Sequence, residues 1–291
     1  MYRIKKFEVW ASEIAGFLNC GLIGDDFLVE GPSNIRLECP SGNGAGKVLL
    51  LTKQAPLETV CPYLVTPQPE LALGHVLREF FASKSVNSIH KSADISEEAK
   101  IGRNVKVGAH SVIGPDVEIG DNTVVMSNVV MNGPVVIGKN CVIKDGAVIG
   151  SEGWGFVSDE DGIPFHPPQL GKIAIGDNVW IGSNSTIERA MIDETVISTN
   201  AKVDDLVHIG AAAQIGKGCM ITAGSVIAFN VVLEDGVSVA PHSVIRENLV
   251  IGADISIGLG AVVVNGLAAP GVYVGNPARL LKSAISGTEE V

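Results

Sequence analysis

The sequence predicts a mainly β protein, a left-handed parallel β-helix preceded by a small α+β domain, and three observations predict it. From Ile89 onward an aliphatic residue recurs every six positions, through Ile95, Ile101, Val107, Ile113, Ile119, Val125, Met131, Ile137, Ile143 and Ile149. Four places after each stands a small or β-branched residue, among them Ala93, Ala99, Val105, Val117, Cys141 and Ala147. Gly, Asp and Asn crowd the positions between, in a chain of 291 residues with 34 Gly.

A period of six is neither the two of a flat strand nor the 3.6 of a helix, so strands of a few residues must alternate with turns. Gly138, Asn140, Asp145, Gly146, Gly216 and Gly218 suit those turns, which need left-handed backbone. Three hexads close one triangular coil with the aliphatic residue inward, and coils stack at about 4.8 Å. Roughly nine such coils make a solenoid. Cys141 and Cys219 fall on the small inward position and read as core filler, not nucleophiles.

The domains follow in order. Residues 1–84 lack the period and form the small α+β domain. Within it, Leu73, Val76, Leu77, Phe80 and Phe81 repeat at helical spacing behind Pro69. Ala11 to Leu18 reads as a second helix, and Lys47 to Lys53 and Tyr63 to Thr66 as strands. Residues 85–283 carry the β-helix, the boundary falling near Lys84 to Ser88, and residues 284–291 read as a flexible tail. Two irregularities break the period: an excursion over 153–172 and a slip by two between Ile187 and Ile197, after which it runs through Ile209, Ile221 and Ile245 to Val263. A long loop in a regular solenoid is usually functional. This one holds Trp154, Phe156, Phe165 and His166 in a chain only 5% aromatic, as a pocket wall or a clasp on a second subunit.

Composition excludes several functions. A net charge of −11 without a Lys/Arg stripe argues against nucleic acid and anionic membrane as partners. No apolar run reaches the length of a membrane span, and Glu8 and Glu13 interrupt what would be a secretory signal. Five dispersed cysteines (Cys20, Cys39, Cys61, Cys141, Cys219) suggest reduced thiols and a cytoplasmic protein. A metal site would need three converging His. No partner His follows His208 or His242 closely, so none is expected.

The run VIGSEGWGFVSDEDG, and then PQLGKIAIGDNVWIGSNSTIERAMIDETVI with its slip, resembles the UDP-3-O-acylglucosamine N-acyltransferases of lipid A synthesis, a family of homotrimeric β-helices. The resemblance implies an N-acyltransferase that moves an acyl group to the amine of a nucleotide-linked amino sugar for lipid A or surface polysaccharide. It implies a homotrimer, whose outward faces include Val130, Trp180 and Val232. Departures accompany the match. Where the family has a catalytic His followed by Asn, this sequence has Ala211 and Ala212, with His208 three residues earlier. At the family's uracil-stacking positions stand Leu50 and Pro56, and the family's long terminal helix is absent. The ending PGVYVGNPARLLK resembles acetyltransferases that use coenzyme A. A trimeric paralogue that binds or assembles without catalysis is the alternative.

N-acylation needs a base for the amine proton and donors for an oxyanion. The expected base is His208, supported by Asp204, with His166 and then His242 behind it. Trp154, Phe156, His166 and Gln169 are the expected substrate contacts. Gly210, Ala211, Gly224, Gly260 and Arg279 are expected to hold the acyl donor, with Gly210, Ala211 and Gly224 close to the oxyanion. The donor is expected to be acyl-CoA, a co-substrate and not a resident cofactor, in preference to acyl carrier protein.

Overall fold

The computed structural model describes residues 2–4, 8–37, 48–56, 61–84 and 89–283. The expected boundary at 84–88, the tail at 284–291 and Cys39 thus lie at or beyond the edge of the described residues. The chain divides into two compact units, Met1–Val86 and Asn87–Val291.

In the first unit a four-stranded sheet is ordered Leu22–Ile23, Tyr63–Val65, Leu49–Thr52, Ile35–Arg36. Two helices accompany it, α1 over Ala11–Phe17 and α2 over Pro69–Val76. Glu13 caps α1 by accepting the Trp10 N–H at 2.9 Å. The pattern that predicts a helix to Phe81 continues past α2 as a single π-turn over Leu77–Phe81, which still delivers Phe81 to the core beside Ala72 and Val76. Leu50, at the uracil-stacking position of the resemblance, is itself buried.

The second unit is the β-helix. Its strands stack into three faces, parallel except for the last pair: a first of nine strands from Asp94–Ile95 to Val262–Val263, a second of eight from Lys100–Ile101 to Val250–Ile251, and a third of ten from Lys106–Val107 to Arg279–Ser283, which runs antiparallel to Gly271–Val274. Most strands are only two residues long, because one inward side chain fills each side of the triangle. Ile113, Ile143, Ile181, Ile209 and Ile245 are fully or almost fully buried, and Cys141 and Cys219 lie in the same core. Burial pushes both thiols up from their ordinary pKa, which keeps them protonated.

Register explains the two breaks. Most strand partners lie 18 residues apart, as in Lys100 with Glu118, but Val148 pairs with Thr186 and Thr186 with His208. Both lengthened coils gain their residues at one corner, between the first and second faces, where the excursion and the turn at 190–193 stack. We call this the first corner. The second corner joins the second face to the third, and the third corner returns to the first face.

Candidate active site

The first face supplies the site's floor. Strands Val148–Glu152, Thr186–Arg189 and His208–Ile209 are neighbours, so Thr186, Glu188 and His208 project outward together. His208 Nδ1 lies 2.8 Å from the Thr186 hydroxyl, and Nε2 lies 3.8 Å from Glu188 Oε1. Glu188 is mostly buried, with 19% of its side chain exposed, and its Oε2 accepts the Ala211 N–H at 3.2 Å. The loop begins directly above: a Cβ built on Gly153 would stand 2.8 Å from Glu188 Oε2 and 3.2 Å from Ala211 Cβ.

A second group ties the loop down. Arg189 donates to Glu152 Oε1 at 2.6 Å, and that hydrogen bond holds the Glu152 carboxyl below the usual carboxylate range. The guanidinium lies over Gly133, where a side chain would collide with it. His166 Nε2 donates to the Gly153 carbonyl at 3.0 Å while Nδ1 sits 3.6 Å from Glu152 Oε2. Its ring leans on Phe156, centroids 4.9 Å apart, and Phe156 leans on Trp154 at 4.9 Å. Trp154 is 89% exposed, an aromatic surface standing open beside the first corner.

The structure thus gathers His208, Ala211, Trp154, Phe156 and His166 on one edge, and alters the expected role of several residues. Asp204 does not support His208. It follows the third-face strand Lys202–Val203, at the third corner, and lines a groove of about 300 Å³ with Trp180 and Met220. The carboxylate at the imidazole is Glu188. Asp205 is likewise committed elsewhere: Lys144 at 2.6 Å and the Ser183 N–H lower its pKa. Gln169 is buried, its amide donating to the Pro167 carbonyl, so it braces the loop from within.

The backbone N–H groups of the expected donor-binding residues are already engaged. The N–H groups of Gly210, Gly224 and Gly260 bond to Ile227, Asp205 and Pro241 carbonyls, and that of Ala211 to Glu188. Gly224 and Gly260 have φ of +70° and +63° at the third corner, so their glycines serve the turn. They stand across the strand from Ala211, not with it. Arg279 is exposed on the terminal hairpin and donates to the Ala278 carbonyl. His110 and His242 occupy turns with φ of +59° and +57°, which accounts for both as corner residues. Another groove, of about 430 Å³, belongs to the second face at Val196, Gln214, Val232 and Glu234, away from His208.

Among the described residues no cluster of three His, Cys, Asp or Glu could hold a metal ion, and no helix is long and apolar enough to cross a membrane. Sequence reasoning misses Glu188. The signal for it is the register: only when the four extra residues at 190–193 are counted does His208 fall beside Thr186 rather than four residues along.

With this geometry in hand, the chain compares as follows. Residues 116–151 match the family described as bacterial transferase hexapeptide (six repeats), and 98–132 and 172–203 match the hexapeptide repeat of succinyl-transferase. A UDP-3-O-acylglucosamine N-acyltransferase from Campylobacter lari is 36% identical across 93% of both chains. One of the same name from Caulobacter is 36% identical over 47% of this chain, a match spanning 40% of that relative's length. Among solved structures, a UDP-N-acetylglucosamine acyltransferase from Bacteroides fragilis superimposes with a TM-score of 0.59 at 26% identity, over 66% of this chain and 73% of the other. That from Campylobacter jejuni gives 0.58 at 22% identity, over 67% and 75%, a likeness of fold.

Proposed function

The chain belongs to the UDP-3-O-acylglucosamine N-acyltransferase family, and from that premise we propose that it transfers an acyl group from a thioester to the amine of a UDP-linked 3-O-acylglucosamine in lipid A synthesis. The observation that carries this reading is the His208 imidazole, fixed between Thr186 and Glu188 beneath the aromatic loop. With Nδ1 donating to the Thr186 hydroxyl, Nε2 keeps its lone pair and is the base. The amine nitrogen attacks the thioester carbonyl, its proton passes to Nε2, the C–S bond breaks, and the proton leaves on the thiol. Trp154, Phe156 and His166 offer flat surfaces for the nucleotide-sugar.

The donor in this reading is acyl-CoA, supported by the GNPAR sequence ending in Arg279, whose exposed guanidinium suits a phosphate. The assembly is a homotrimer, in keeping with the half-exposed Trp180 and Met220 on the third face. A second reading, the non-catalytic paralogue, draws on Ala211 and Ala212 at the family's His and Asn positions.

The test is mass-spectrometric detection of the amide product from UDP-linked 3-O-acylglucosamine, with coenzyme A and acyl carrier protein thioesters in parallel. Amide from the coenzyme A thioester is expected. Product only from the carrier protein reverses the donor assignment, and none from either favours the paralogue. Sedimentation at micromolar concentration checks the trimer.

A further inference from the structure

Glu188 and His208 face each other across 3.8 Å, too far for a hydrogen bond and close enough for one polar atom to reach both at about 2.9 Å. In the tautomer that serves as base, both facing atoms are acceptors, a lone pair on Nε2 and a carboxylate oxygen on Oε1. Two acceptors aimed at one point require a donor with two or more hydrogens. A sugar hydroxyl has one, a neutral amine two and an ammonium three, and of these the ammonium alone carries the charge opposite to the carboxylate. The carboxylate is not free to turn away. Its Oε2 is held by the Ala211 N–H, and the missing Cβ of Gly153 gives it room.

We propose that Glu188 is the residue that binds the acceptor's amine, holding it as an ammonium against His208 Nε2 and so selecting an amine over a hydroxyl. This rests on the transfer reading above and adds to it a residue and a protonation state. The proton balance follows. The ammonium gives one proton to Nε2 and becomes the nucleophile. After attack, the C–S bond breaks and the thiolate takes that proton from His208. The second N–H proton leaves the nascent amide through Glu188 to solvent, so one proton ends on sulfur and one is released. The other ionisable groups on this edge are occupied: Arg189 by Glu152, and His166 by Glu152 and the Gly153 carbonyl.

The experiment has a binding arm and a kinetic arm, on the full chain. Calorimetric titration compares a UDP-linked amino sugar with its N-acetylated counterpart, for wild type, Glu188→Gln, Glu188→Asp and Gly153→Ala. Glu188→Gln is expected to weaken the amine-bearing sugar at least tenfold, leaving the N-acetylated one within about twofold. Glu188→Asp should fall between, and Gly153→Ala should weaken the amine by displacing the carboxylate without changing charge. In turnover, Glu188→Gln should raise the acceptor KM with the donor KM unchanged. Equal loss for both sugars, or an unchanged amine affinity, overturns the proposal. A wild type that binds the amine selectively but transfers no acyl group sinks the transfer reading instead, so the two failures are distinct.

Discussion

Along the second corner, Asn104, Asn122, Asn140, Asn178 and Asn200 repeat in left-handed conformation, and the first three join amide to amide at 3.1 and 3.3 Å. The first corner is built from the same hexads, yet it swells to hold the excursion, tightens to the turn at 190–193, and then meets Gly210, Ala211 and Ala212. Below that the Asn ladder resumes there too, with Asn230 bonded to Asn248 at 3.0 Å. Asn tolerates left-handed backbone and its amide satisfies its neighbour one coil away, so the repeated corner is a device for stability. The corner where the ladder is interrupted carries the aromatics, the two histidines and Glu188. Irregularity in a solenoid marks where sequence has been released from stacking.

Five changes break or sharpen that contrast. The largest effect is expected from His208→Ala, which should lower turnover about 10² or more while oligomeric state and melting stay as in wild type, since a half-exposed outward side chain adds little to the core. Unchanged turnover would remove the first corner's claim to the chemistry. Ala211→His comes next. Ala211 is buried against Gly153 and Glu188, so an imidazole there is overpacked and should cost about 1–3 kcal/mol of stability with no gain in rate. A faster enzyme would contradict the packing described here.

In the regular corner, Asn122→Ala forces Ala into φ of +61° and should cost about 1 kcal/mol in denaturant melting without touching activity. Its mirror image is Ala212→Asn. Ala212 has φ of +61° in the column of Asn230 and Asn248, so Asn there should extend the ladder and raise stability by about 1 kcal/mol or less. The smallest effect concerns pH. The Arg189 hydrogen bond depresses the Glu152 carboxyl, so its contribution is present above the ordinary carboxylate range and is lost only as pH falls through the lower folded value. The difference in tryptophan fluorescence between wild type and Glu152→Gln should therefore hold from pH 7 to about 5 and fade in stronger acid, where the two converge.

Much of this was legible in the chain. The six-residue period fixes the inward positions, because one side chain per side leaves no other register, and Ile143, Ile181 and Cys219 lie where it puts them. The excursion announces itself by length and by Trp154, Phe156 and His166. What sequence proximity misassigns is Asp204. It stands four residues from His208, but a two-residue strand separated by a tight turn puts it on another face. Glu188, twenty residues away, is the neighbour, because coil contacts depend on the running count and the slip alters it. Gln169 and the N–H groups of Gly210 and Gly224 make a related point: residue type says what a group can do, and only the ladder says whether it is already doing it.

The most direct test of the first corner as the reaction centre is a crystal structure with a UDP-linked amino sugar. The sugar amine should lie within hydrogen-bond reach of His208 Nε2 and Glu188 Oε1, with the nucleotide against the loop that carries Trp154 and Phe156. A sugar seated instead on the third face, at Trp180 and Met220, would contradict the account.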